Sequence, residues 1–291
     1  MIRRLVWGLY DELTRLSVVM QTRPRREQPD LLRSYARIRS RRNSGAGTAS
    51  GRVRVLGMTV EYLGRAPLLV MFDEIFVRQD YAFDARTNTP FVVDAGANIG
   101  LATLYFKHRY PGARVLAFEP EPTTFATLER NVRENGLSDV RLLQLALGED
   151  VGSIRLRGQP GSLGTTTVEG VWDEPPTDTV VDVARLSSFV DEPVDMLKLD
   201  IEGGEFGVLR ELAMSAKLHL VREMVVEYHH HIGPTERSLG DLLTLLDANR
   251  FGYQVAASFI DGRWRSGLRR PSTRDAYQDI LVYAYAKDDS S

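Results

Sequence analysis

Asp94, Gly96, Asn98 and Gly100 alternate through Phe91-Val92-Val93-Asp94-Ala95-Gly96-Ala97-Asn98-Ile99-Gly100, bringing a carboxylate, an amide and two glycines into one short segment. Glu119 follows at the end of the next apolar run, 23 residues after Gly96. An acid near that offset, roughly 20 residues, holds ribose hydroxyls in α/β nucleotide folds. The glycines remove Cβ atoms that would keep a ligand's polar groups off the backbone where a helix begins. Asn98 stands where a dinucleotide turn has its second glycine, so a pyrophosphate would meet a side chain there. A nucleoside with a zwitterionic amino-acid tail suits the pattern, with Glu119 on the ribose diol and Asp94 facing the ammonium. S-adenosylmethionine has that chemistry. Tight turns with two glycines also arise from packing alone, so the pairing with Glu119-Pro120 carries much of the reading.

A second polar block runs Lys198-Leu199-Asp200-Ile201-Glu202-Gly203-Gly204-Glu205, and a third runs Glu227-Tyr228-His229-His230-His231. Strand residues two apart share a face, which groups Lys198, Asp200 and Glu202, and likewise Glu227, His229 and His231. Methyl transfer from a sulfonium needs an aligned acceptor and a base for its proton, the latter worth about 10²–10⁴-fold. His229 is the first candidate base because an imidazole titrates near neutrality, and Asp200 is the second. A Lys198–Asp200 ion pair that only shapes the strand is the structural alternative. Glu202 either joins the catalytic group or caps the next helix. The histidine run has residue types that ligate a divalent ion, but adjacent strand residues face opposite ways, and a metal-free mechanism is expected. Ser162, Gly164, Thr165 and Thr166 fold over cofactor or acceptor, or form a polar turn.

These groups need a scaffold. Apolar runs predict strands at 91–95, 113–119, 140–146, 195–201, 223–229, 251–257 and 279–286, with helices between the first five and a hairpin or flap over 151–185. Leu101, Leu104, Tyr105 and His108 mark the first helix. Such alternation gives a mostly parallel sheet, whose ligand lies beyond the strands' carboxyl ends, where Asp94, Glu119, Ala146, Asp200 and Glu227 fall.

The chain resembles the FkbM-type methyltransferases, a branch of the class I S-adenosylmethionine-dependent enzymes, over about residues 70 to 285. The resemblance rests on Val93 to Gly100, Ala117 to Pro122, Asn131 with Asn135-Gly136-Leu137, Ala146-Leu147-Gly148, Lys198 to Glu205, and Glu227-Tyr228-His229. It implies a Rossmann-like α/β fold: a seven-stranded, mostly parallel sheet with helices on both faces and the last strand antiparallel. It also implies methyl transfer to an oxygen of a small acceptor, such as a specialised metabolite or sugar. The expected cofactor-binding residues are Asp94, Gly96, Asn98, Gly100, Glu119, Pro120, Ala146 and Asp200; the catalytic ones are His229, Asp200 and Glu202. The competing readings are a nicotinamide-dependent oxidoreductase, transfer to a peptide or carboxylate oxygen, and a non-catalytic recruiting module.

Among 291 residues there is no cysteine, which excludes thiolate metal sites, cysteine nucleophiles and disulfides. Residues 1–52 hold 12 Arg against 4 acidic residues, a balance of +8 in a chain whose net charge is −2. Residues 1–51 read as a basic amphipathic helix over 2–20 and a linker, with the helix packing on the domain or pairing two copies. Aromatic residues other than Tyr35 do not interleave the charges of the arm, so nucleic acid is not the expected partner. Residues 52–90 form a hairpin and helix lead-in, and 91–291 the catalytic domain. No apolar run approaches the roughly 18 residues of a membrane span, and the protein is expected to be soluble and cytoplasmic.

Overall fold

The computed structural model describes residues 23–40, 50–157, 176–229, 238–257 and 279–287, with Ser17, Met20 and Gln21. Helix α1 (Gln28–Ser40) lies where the sequence suggested a linker. Leu31, Tyr35 and Ile38 are buried along one side of it, and Ser34 donates to the carbonyl of Arg54 at 2.8 Å. Burying each such side chain stabilises by about 1.5–3 kcal/mol, enough to hold an arginine-rich helix on the domain. The amphipathic helix expected over 2–20 lies, apart from Ser17 and Met20, outside the described residues.

Strands β1 (Gly51–Val55) and β2 (Met58–Tyr62) form the expected hairpin. Leu56 and Gly57 both have positive φ, 49° and 82°, the backbone of a type I′ turn, whose twist matches that of paired strands. Helix α2 (Arg65–Phe72) passes directly into a π-helical turn, Asp73–Arg78.

The sheet builds from β3 (Phe91–Ala95), β4 (Arg114–Phe118) and β5 (Val140–Leu143), linked by helices α3 (Leu101–Arg109) and α4 (Pro122–Glu134). The expected strand 140–146 then divides. Its end becomes β6 (Ala146–Leu147), which leaves the sheet and joins β7 (Gly152–Arg157) and β8 (Pro176–Ala184) in a small sheet of order β6-β8-β7. The β7–β8 pair is the hairpin expected over 151–185, and among the described residues no α-helix joins β5 to β9. The main sheet resumes with β9 (Val194–Leu199), helix α5 (Glu205–Met214), β10 (Val221–His229), helix α6 (Leu239–Ala248), β11 (Phe251–Ala257) and β12 (Asp279–Ala286). The seven strands run β11-β12-β10-β9-β3-β4-β5, and β12 runs antiparallel to the other six. This is the Rossmann-like arrangement.

Alternate strand residues feed two cores, as a sheet covered on both faces requires. Val92, Val115 and Met196 pack with α1, α2, α3 and α4, while Val93, Leu116 and Leu197 pack with α5 and α6. Asn131 and Asn135 fasten the hairpin to α4. Asn131, fully buried, accepts from the Glu61 amide at 2.7 Å and donates to the Glu61 and Ile99 carbonyls; Asn135 grips the Thr59 amide and carbonyl in the same way. Among the described residues, no helix is long and apolar enough to cross a membrane.

Candidate active site

A cleft opens where β3, β4 and β9 end together; Ala95 pairs with both Phe118 and Leu199. It encloses about 640 Å³, counting the open space at its mouth. Gly96, Asn98, Glu119 and Pro120 form one side, Leu145, Ala146 and Leu147 a second, and Asp200, Ile201 and Glu202 the third.

The turn after β3 is set by close main-chain approach. A Cβ on Gly96 would stand 1.7 Å from the Asp200 carbonyl oxygen, and its φ of 80° is left-handed. Gly100, expected to make room for ligand, is not among the cleft residues; a Cβ there would meet Leu128 of α4 at 2.6 Å, so it serves helix packing. Asn98 is also left-handed, φ 50°, which asparagine tolerates better than most residues. Its side-chain oxygen accepts from the Ile99 amide at 2.7 Å, and its own amide donates to Glu119 Oε2 at 2.9 Å.

Glu119 is therefore fixed by main chain on both oxygens, because Glu121 donates its amide to Oε1 at 2.9 Å. A carboxylate has about four acceptor positions, so capacity remains toward the cleft. Burial raises its pKa to about 7, against the pull of the two amides. The neighbouring Glu121 instead caps α4, accepting from Thr123 and Thr124, ahead of Pro122 at the first helical position.

Asp94 does not face the cleft. It is fully buried, accepting from Thr103 at 2.6 Å, with Lys198 Nζ 3.6 Å from its other oxygen. Lys198 also lies 3.0 Å from Asp200 and donates to the Gly96 carbonyl, so the ion pair weighed as structural is present. Burial lowers the lysine's pKa, but Asp200 and Asp94 outweigh it and hold the ammonium charged. Tyr81 covers this ammonium, its ring centroid 5.4 Å away, and donates its hydroxyl to Glu227 Oε2 at 2.9 Å.

His229 is enclosed by acids. Nδ1 is 3.0 Å from Glu205 Oε1 and Nε2 is 3.2 Å from Glu202 Oε2, with Asp200 Oδ1 at 4.0 Å. Burial alone lowers its pKa, yet Glu202 and Glu205 drive it well above the ordinary imidazole value. Carboxylates at both ring nitrogens therefore favour the protonated ring. Glu202 does not cap α5. The chain turns at Glu202 and Gly203, both with positive φ, and Glu205 accepts from the amides of Ile201 and Gly203. Asp200, Glu202 and His229 do come together.

Tyr81 and Glu205 were not singled out by sequence. Glu205 closes the acidic block, but its role depends on β10. Tyr81 carries no local signal, since its partner is 146 residues away. His230 and His231, with Ser162, Gly164, Thr165 and Thr166, lie outside the described residues.

The pattern described as the methyltransferase FkbM domain matches residues 94–255. A relative from Beauveria bassiana (strain ARSEF 2860), Methyltransferase 1, is 34% identical over 204 residues, which is 62% of this chain and 80% of the relative. The 31-O-demethyl-FK506 methyltransferase FkbM of Streptomyces tacrolimicus is 27% identical over 229 residues, 67% of this chain and 86% of its own. Among solved structures, methyltransferase FkbM from Methylobacillus flagellatus KT has 18% identity and a TM-score of 0.46 over 75% of this chain, which spans about half, 53%, of that one.

Proposed function

This chain belongs to the FkbM methyltransferase family, and from that premise we propose that it moves the methyl group of S-adenosylmethionine to a hydroxyl oxygen of a small specialised metabolite or sugar. The observation that carries this reading is Glu119. Two main-chain amides fix its oxygens at the cleft wall, and its remaining acceptor positions suit a ribose diol. Phe118, Leu147 and Ile201 supply apolar surface for the adenine. Asp94, being buried under the turn, acts through Lys198 and not by touching the donor.

The donor's methyl group points to the Asp200 side of the cleft, where the acceptor enters. The acceptor oxygen attacks in line with the carbon–sulfur bond, and its proton passes to the carboxylates flanking the cleft, Asp200 and Glu202. His229 positions those carboxylates and offsets their charge. Oxygen as the methylated atom is supported by a relative named for a 31-O-demethyl substrate.

Calorimetric titration with S-adenosylhomocysteine, followed by transfer of labelled methyl to a panel of sugars and hydroxylated metabolites, tests the reading. Micromolar binding and labelled ether products are expected. Failure to bind at millimolar ligand, or tighter binding of NAD, sinks it.

A further inference from the structure

We propose that Asp200, Glu227 and His229 bind a divalent cation beside the donor cleft, and that this ion holds the acceptor's oxygen. The inference rests on the methyl-transfer reading above only for what the ion does, not for where it binds. One ligating atom from each of the three residues lies within 4.8 Å of the other two, close enough to surround a single ion. The group is a mixed donor set with a buried imidazole, not merely a patch of acids.

Each member is also held by a partner outside the group. Glu205, itself fixed by the Ile201 and Gly203 amides, takes Nδ1 of His229, which turns Nε2 toward Glu202 and Asp200. A carboxylate behind the imidazole is how metal-bound histidines are commonly oriented. Tyr81 holds Oε2 of Glu227, and Lys198 holds Oδ2 of Asp200. Asp200 also lines the cleft, so an ion on it faces the space where donor and acceptor meet.

Imidazole with carboxylates, in a chain without cysteine, favours a hard or borderline ion of the manganese or magnesium kind over a thiophilic one. In the reaction the cation binds the acceptor hydroxyl oxygen and the O–H proton passes to Glu202. An oxygen lone pair forms the new C–O bond while the C–S bond breaks, its electron pair staying on sulfur, which leaves as a neutral thioether.

Manganese(II) binding to the full chain, followed by electron paramagnetic resonance, tests the site without any turnover. Uptake of one ion per chain is expected, with nitrogen modulation of the manganese signal from the imidazole. Glu227→Gln and His229→Gln should weaken uptake at least about tenfold, whereas Asn135→Ala leaves it unchanged. Calorimetry with S-adenosylhomocysteine on the same samples checks that the variants are folded. A chain that binds this ligand but takes up no manganese at millimolar concentration overturns the ion site and leaves the donor reading intact. Manganese uptake without S-adenosylhomocysteine binding does the reverse. Uptake undiminished in both variants, or a manganese signal without nitrogen modulation, overturns the assigned ligands.

Discussion

The two sides of the cleft satisfy their buried polar groups by different means. At the ends of β3 and β4, the partners are main chain: Glu119 receives amides from Asn98 and Glu121, and Asn98 turns its own side chain onto the Ile99 amide. At the ends of β9 and β10, side chains face one another, with Asp200, Glu202, Glu205 and Glu227 gathered around Lys198 and His229. A peptide amide cannot leave or change its charge, so the first side is preorganised. Side-chain partners can exchange protons or admit a cation, so the second side is where charge can move.

The largest effect that sharpens this contrast is expected from Lys198→Met. Removing a buried ammonium leaves Asp94 and Asp200 uncompensated, at a cost of about 3–5 kcal/mol in unfolding free energy. Denaturant titration measures it, and an unchanged midpoint would mean that the acids do not depend on that charge. Next comes Glu119→Gln. The amide must set an NH₂ against a main-chain N–H, and S-adenosylhomocysteine affinity should drop about 10- to 100-fold, equivalent to roughly 1.5–3 kcal/mol. Thermal stability should fall by no more than the roughly 1–3 kcal/mol of one mispaired buried group; a collapse would mean that the main-chain cradle needs the charge to form.

The same variant reports the pH dependence. Glu119 is raised from 4.5 to about 7, so its contribution to folding stability is full below about 4.5 and lost as pH climbs through about 7. Donor affinity has the opposite sign, rising through about 7, because the diol needs an acceptor on both oxygens. Glu119→Gln should flatten both slopes, as measured by parallel melting and calorimetric series. Slopes that persist would assign the titration to the β9–β10 side. The smallest effect belongs to Asn135→Ala, which frees the Thr59 amide and carbonyl at an expected cost of about 1–2 kcal/mol without altering donor affinity. A matching loss of affinity would tie the hairpin to the cleft and weaken the division.

Much of the fold was legible because buried strands read as apolar, β-branched runs. All seven main-sheet strands lie where those runs predicted them, and the hairpin turn falls at Gly57. Helix α1 was obscured by its arginines, although Leu31, Tyr35 and Ile38 keep helical spacing. Departure of β6 from the sheet had no local signal, since its pairing is with Val183 and Ala184. At the site, residue types and spacing brought Gly96, Asn98, Glu119, Pro120, Ala146, Asp200 and Glu202 to one cleft. Spacing could not tell that Gly96 makes way for the Asp200 carbonyl and Gly100 for Leu128, nor reveal that Asp94 is covered. The state of His229 was illegible for the same reason: an imidazole's charge depends on which carboxylates fold around it.

The place of β12 bears on how the molecule is made. One edge of β10 is paired by β9, which precedes it, but the other waits for β12, which begins 50 residues after His229. Any partly folded chain that lacks β12 therefore leaves an unpaired strand edge at Glu227 and His229. Until the late strand slips in, the nascent chain is open to mispairing with other nascent chains at the edge that later supports the chemistry.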